Sequence, residues 1–118
     1  MERQTLKKLH CNIFKGRRPP VPSIPCIAHK TRKSSKGRDV IVTPDTGATM
    51  TVVPWALVQM LGIEININDD KYDLVNASGD RMTVLGTVVI YLHPEGSDTR
   101  PVFGIVTDDL GDAEILLS

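Results

Sequence analysis

Aromatic residues are scarce in this 118-residue chain: one Trp, two Tyr and two Phe, four per cent of the total. Its core must therefore be aliphatic, built from Val, Ile and Leu. Cysteine is nearly absent too. Cys11 and Cys26, with His10 and His29 beside them, spell His-Cys…Cys-x-x-His. That pattern lacks the close Cys-x-x-Cys pairs of a zinc knuckle or ribbon, and two thiols make no disulfide framework. Two reduced cysteines and no bound metal are expected. No apolar run approaches ~18 residues, so no membrane-spanning helix is expected.

Basic residues nearly vanish after position 38. Residues 1–38 hold eleven of the fourteen Lys and Arg against one acid, a net of plus ten; residues 39–118 hold three against thirteen acids, a net of minus ten. The asymmetry describes a basic arm on an acidic domain. A solvated linker is the plainer reading of the arm, and weak nucleic-acid contact is the functional one. Leu6, Leu9, Ile13 and Phe14, spaced among Lys and Arg, also suit a short basic amphipathic helix. Residues 1–23 close on Arg17-Arg18-Pro19-Pro20-Val21-Pro22, a joint that disfavours helix and central strand. They are read as a Pro-rich linker before a single domain spanning 24–118. A domain this small has a marginal core, so association with a second copy is thermodynamically useful.

Within the domain, short β-prone runs alternate with turn residues. Strands are expected over 24–31, 39–43, near Val52, 63–67, 72–75, 81–85, 87–92, 101–107 and 113–117. Residues 32–38 read as a turn. Pro54 stands where a helix can start; Trp55 to Leu61 gives two turns with Leu57, Val58 and Leu61 inward, and Gly62 stops it. The whole reads as an all-β barrel or sandwich with one short helix.

One stretch carries chemistry. Val40-Ile41-Val42-Thr43 leads through Pro44 to Asp45-Thr46-Gly47-Ala48, and a second β-prone run, Thr51-Val52-Val53, leads away. Asp45 is thus expected at a strand end, on a loop of small residues with room for another group beside it. Asp-Thr-Gly in this place resembles the catalytic turn of the aspartic proteases. The resemblance implies peptide hydrolysis without a metal or covalent intermediate, which needs a water made nucleophilic and a carbonyl made electrophilic. Two adjacent carboxylates supply both, because their repulsion keeps one protonated while the other accepts from water. The chain has one Asp-Thr-Gly, so the second carboxylate has to come from a second copy across a two-fold axis.

Asp45-Thr46-Gly47-Ala48 in this setting resembles the active-site signature of the retropepsins, the aspartic proteases of retroviruses and retrotransposons. Asn76-Ala77-Ser78-Gly79-Asp80 resembles that family's flap hairpin, the run from Thr83 to Leu92 its following long strand, and Glu114-Ile115-Leu116-Leu117 its apolar strand near the domain end. The resemblance spans about residues 24–118. It implies a closed acid-protease barrel and a homodimer that cuts a polyprotein without a cofactor. An intracellular setting, in the cytoplasm or a retroelement particle, goes with it. Asp45 is the implied catalytic acid and base, with Thr46 hydrogen-bonding across the dimer. Gly47 completes the catalytic turn and, with Ala48, keeps the cleft floor open for a substrate strand. Ala77, Ser78, Gly79 and Asp80, with Ala48, are the implied substrate-contact residues. Subsites would draw on Val53, Met82, Val84 and Ile105. Two departures stand out: Leu116-Leu117-Ser118 replaces an apolar pair followed by Gly, and the C-terminal helix and strand usual in the family are missing.

Two other classes compete. A catalytically inactive domain of the same fold would bind peptides or dimerise. A phosphate-binding loop of the actin and sugar-kinase type also places an acid and Gly after a strand, but those folds need a far longer chain to enclose a nucleotide. The Asn76-Ala77-Ser78 sequon is read as accidental, because a glycan there would obstruct the cleft.

Overall fold

The computed structural model describes residues 23–33, 36–44, 50–67, 73–76, 78–110 and 114–117, and residues 7–10 and 72 by their backbone. Among these residues the fold is nine strands and one short helix. Six strands close a barrel in the order β2 (Ile24–His29), β3 (Gly37–Pro44), β9 (Glu114–Leu117), β4 (Val52–Pro54), β8 (Arg100–Thr107) and β7 (Gly86–Pro94). The ring shuts where β7 pairs with β2, Cys26 opposite Pro94 and His29 opposite Tyr91. The chain is therefore an all-β barrel.

Alternation along β2, β3 and β7, with buried residues of the three other strands, fills the interior. Cys26 and Ala28, Val40 and Val42, and Val88, Ile90 and Leu92 point inward, joined by Val53, Val106 and Ile115. With so few aromatic side chains, this volume is filled by branched aliphatics that suit a pleated surface.

The helix α1 (Trp55–Leu61) completes the same core with Leu57 and Val58. Pro54 ends β4 and caps α1 in an extended conformation (φ −72°, ψ 138°), so it lies one position before the first helical turn. Gly62 adopts φ 69°, which frees its N–H and that of Ile63 to close on the carbonyls of Gln59 and Val58 at 3.1 and 3.2 Å. This is a Schellman stop, and it needs a residue content in the left-handed region. Leu61 packs against the core at its edge.

Strands β5 (Tyr72–Val75) and β6 (Arg81–Met82) form a hairpin, and β1 (Lys7–His10) adds a third strand parallel to β5. The backbone at residues 7–10 is extended, where the spacing of Leu6, Leu9 and Ile13 suggested helix. An open strand edge recruits backbone whatever its side-chain pattern, and β5 has that edge on the side away from β6.

Three further expectations are corrected. Residues 63–67 form no strand: only Asn66 bridges to Thr87, and Ile67 is 69% exposed. The return limb of the hairpin stops at Met82, and strand pairing resumes at Gly86. Gly37 and Arg38 belong to β3 instead of the preceding turn. No helix among the described residues is long and apolar enough to cross a membrane.

Candidate functional site

The barrel places the two ends of the Asp-Thr-Gly stretch at one rim. Strand β9 runs parallel to β3, with Pro44 opposite Leu117, and antiparallel to β4, with Val52 opposite Leu116. β9 is thus threaded between the strands that lead into and out of residues 45–49. Two inter-strand spacings separate those strands, roughly 10 Å. The anchors are firm. Thr43, Thr51 and Val52 are buried, and the Thr51 carbonyl accepts from the Ile105 N–H at 2.9 Å. Asp45, Thr46, Gly47 and Ala48 themselves lie outside the described residues, as does Ala77.

The hairpin tip is built by one side chain. Asn76 is 7% exposed, and its Oδ1 accepts from the N–H groups of Ser78 at 2.9 Å and Asp80 at 3.0 Å. Its backbone N–H donates to the Asp80 carbonyl (2.9 Å), while its carbonyl accepts from Gly79 N–H (3.0 Å). Gly79 takes φ 85°. This Asx-type turn holds Ser78, Gly79 and Asp80 exposed at the tip. Sequence reasoning read Asn76 as the start of a tip and as an accidental sequon, and missed it as the organiser. The Asn-x-Ser spacing that spells the sequon is also the spacing of an Asx turn. Along the limbs, the exposed Arg81 guanidinium Nε lies 3.5 Å from Oδ1 of the half-buried Asp73.

A second apolar cluster joins hairpin to rim. Leu74 and Met82 from the hairpin pack with Val52, Ile105, Leu110 and Leu116, and Met50 and Val84 lean on the same group. The hairpin base and the anchors of residues 45–49 therefore share one core. Of the side chains expected to shape subsites, Val53 and Ile105 are fully buried and Met82 is 8% exposed. Val53 faces the barrel interior and Ile105 this second cluster, so neither lines a surface cleft; Val84 remains half-buried beside the cluster.

Cys26 turns into the barrel core, which removes it from any surface site with His29. Burial pushes its thiol pKa up, since an apolar interior disfavours the thiolate. Among the described residues no group of three His, Cys, Asp or Glu is placed to hold a metal ion. No protein-family model matches this chain, and no curated protein matches it.

Proposed function

We propose that the chain is an aspartic endopeptidase of the retropepsin type, active as a homodimer on a polypeptide substrate. One observation carries the reading. The strands flanking Asp45-Thr46-Gly47-Ala48 lie on either side of β9 at a barrel rim that shares a core with a tip-forming hairpin. An acid in a short run of small residues between those strands, with a lid-like hairpin seated on the same core, suits chemistry on an extended peptide.

In this reading Asp45 and Asp45 of the partner subunit share one proton. The ionised carboxylate takes a proton from water as the water oxygen attacks the scissile carbonyl carbon. The protonated one gives its proton to the carbonyl oxygen. Collapse of the tetrahedral intermediate then breaks the C–N bond, and a carboxyl proton passes to the departing nitrogen. The pair titrates jointly, so activity reports two apparent pKa values that belong to both acids together. The hairpin tip closes over the substrate and excludes water, which strengthens every electrostatic contact inside.

The test is incubation with a mixed peptide library at mildly acid pH. Cleavage by the wild type that disappears in Asp45→Asn supports the reading, and identical product traces from both proteins reject it.

A further inference from the structure

Thr83 opens the unpaired stretch between β6 and β7. Its N–H donates to Oδ2 of Asp109 at 2.8 Å, a contact between residues 26 apart in sequence. Asp109 lies in the turn between β8 and β9, and its own N–H donates to Thr107 Oγ1 at 3.1 Å. Thr107 is fully buried at the end of β8, so the carboxylate stands on a fixed base. The next residue, Leu110, is buried in the cluster that contains Leu74 and Met82 of the hairpin. The turn therefore grips the hairpin twice, through a charged acceptor at Asp109 and through an apolar side chain at Leu110.

These two grips have different properties. Leu110 contributes burial that tolerates sliding, because apolar contacts have no direction. A carboxylate accepting from a backbone N–H is directional and stronger than a neutral acceptor. It acts where strand pairing has lapsed, at residues 83–84 between the end of β6 and the Leu85 amide. Just beyond, Leu85 N–H is held by the Val106 carbonyl at 2.9 Å, so the free stretch is bounded on both sides. We infer that Asp109 is a positioning residue for the hairpin, clamping its return limb at Thr83 and fixing the tip relative to the rim where Pro44 and Val52 lie. The consequence for catalysis rests on the protease reading above; the clamp itself does not.

Amide hydrogen exchange on the full chain tests it, with wild type, Asp109→Ala and Asp109→Asn compared. In the Ala variant the Thr83 amide exchanges about tenfold faster. The Asn76 amide accelerates with it, while Ile90 and Val106 keep their wild-type rates. The Asn variant, which retains a carbonyl acceptor, restores most of the protection. On a cleavable peptide, Asp109→Ala raises KM severalfold and leaves kcat within about twofold. Unchanged exchange at Thr83 overturns the clamp, as does equal acceleration at Ile90 and Val106, which marks a general loss of stability. A fall in kcat at constant KM overturns the positioning role. If the wild type cleaves no peptide, the protease reading fails, and the exchange rates still decide the clamp.

Discussion

Val52 and Leu116 stand opposite each other where β4 meets β9, and both are buried in the cluster that seats the hairpin. This pair ties the outgoing side of the Asp45 stretch to the strand threaded beneath it. Truncating Leu116 to Ala removes buried methyl groups from a site with packing on every side. A loss of about 2–5 kcal/mol in equilibrium urea unfolding is expected. Val89→Ala, at a position 46% exposed on the outer barrel face, should stay within about 0.5 kcal/mol of wild type.

Gly86 begins β7 where the backbone of Asn66 crosses it. A Cβ at this position meets the Asn66 carbonyl oxygen at 2.6 Å, and that oxygen accepts from Thr87 N–H. Backbone cannot step aside as a side-chain tip can. Gly86→Ala should therefore cost about 1–3 kcal/mol and raise amide exchange at Asn66 and Thr87.

Asn76 supplies acceptors for two N–H groups of the tip. Replacing it with Ala leaves Ser78 and Asp80 without that partner and should cost about 1–3 kcal/mol. Asn76→Asp keeps an oxygen in the same place and should lose less. At Gly79, φ 85° penalises any Cβ although nothing crowds the site within 4 Å, so Gly79→Ala should cost about 1 kcal/mol through the backbone alone.

Cys26 should react slowly with iodoacetamide at neutral pH in the folded protein and fast in urea. The raised thiol pKa has a stability consequence as well. Below the unfolded value of about 8.5 both states keep the proton, and the stabilisation is fully present. As pH climbs from there through the folded value, the unfolded chain ionises first and stability falls. Cys26→Ala should remove that part of the alkaline loss, measured as the difference in urea midpoint between pH 7 and pH 10.

Much of this architecture can be read from the chain. The inward alternation of Val40 and Val42, or of Val88, Ile90 and Leu92, announces half-buried strands, and Pro54 and Gly62 bracket the helix. The failures come from competition for partners, which local pattern does not encode. Ile63 and Ile65 alternate as a strand would, but β2 pairs with β7 at 91–94 and residues 63–67 meet the rest of β7 only in the Asn66–Thr87 bridge. Leu6, Leu9 and Ile13 have helical spacing, but the backbone at Lys7–His10 meets an open edge on β5. At the site, the hairpin is legible because it is local. The role of Asp109 is not, because an exposed acid in an acid-rich turn bears no mark of the Thr83 amide it will meet.

The central claim is that two Asp45 carboxylates from two chains hold one proton between them. Co-refolding wild-type and Asp45→Asn chains in varied proportion, at constant total concentration, tests it through the rate of peptide hydrolysis. With both acids required, the rate follows the square of the wild-type fraction, and an equal mixture retains about a quarter of the activity. A rate that falls in a straight line, with about half retained at equal mixture, would show that one Asp45 suffices and contradict the account.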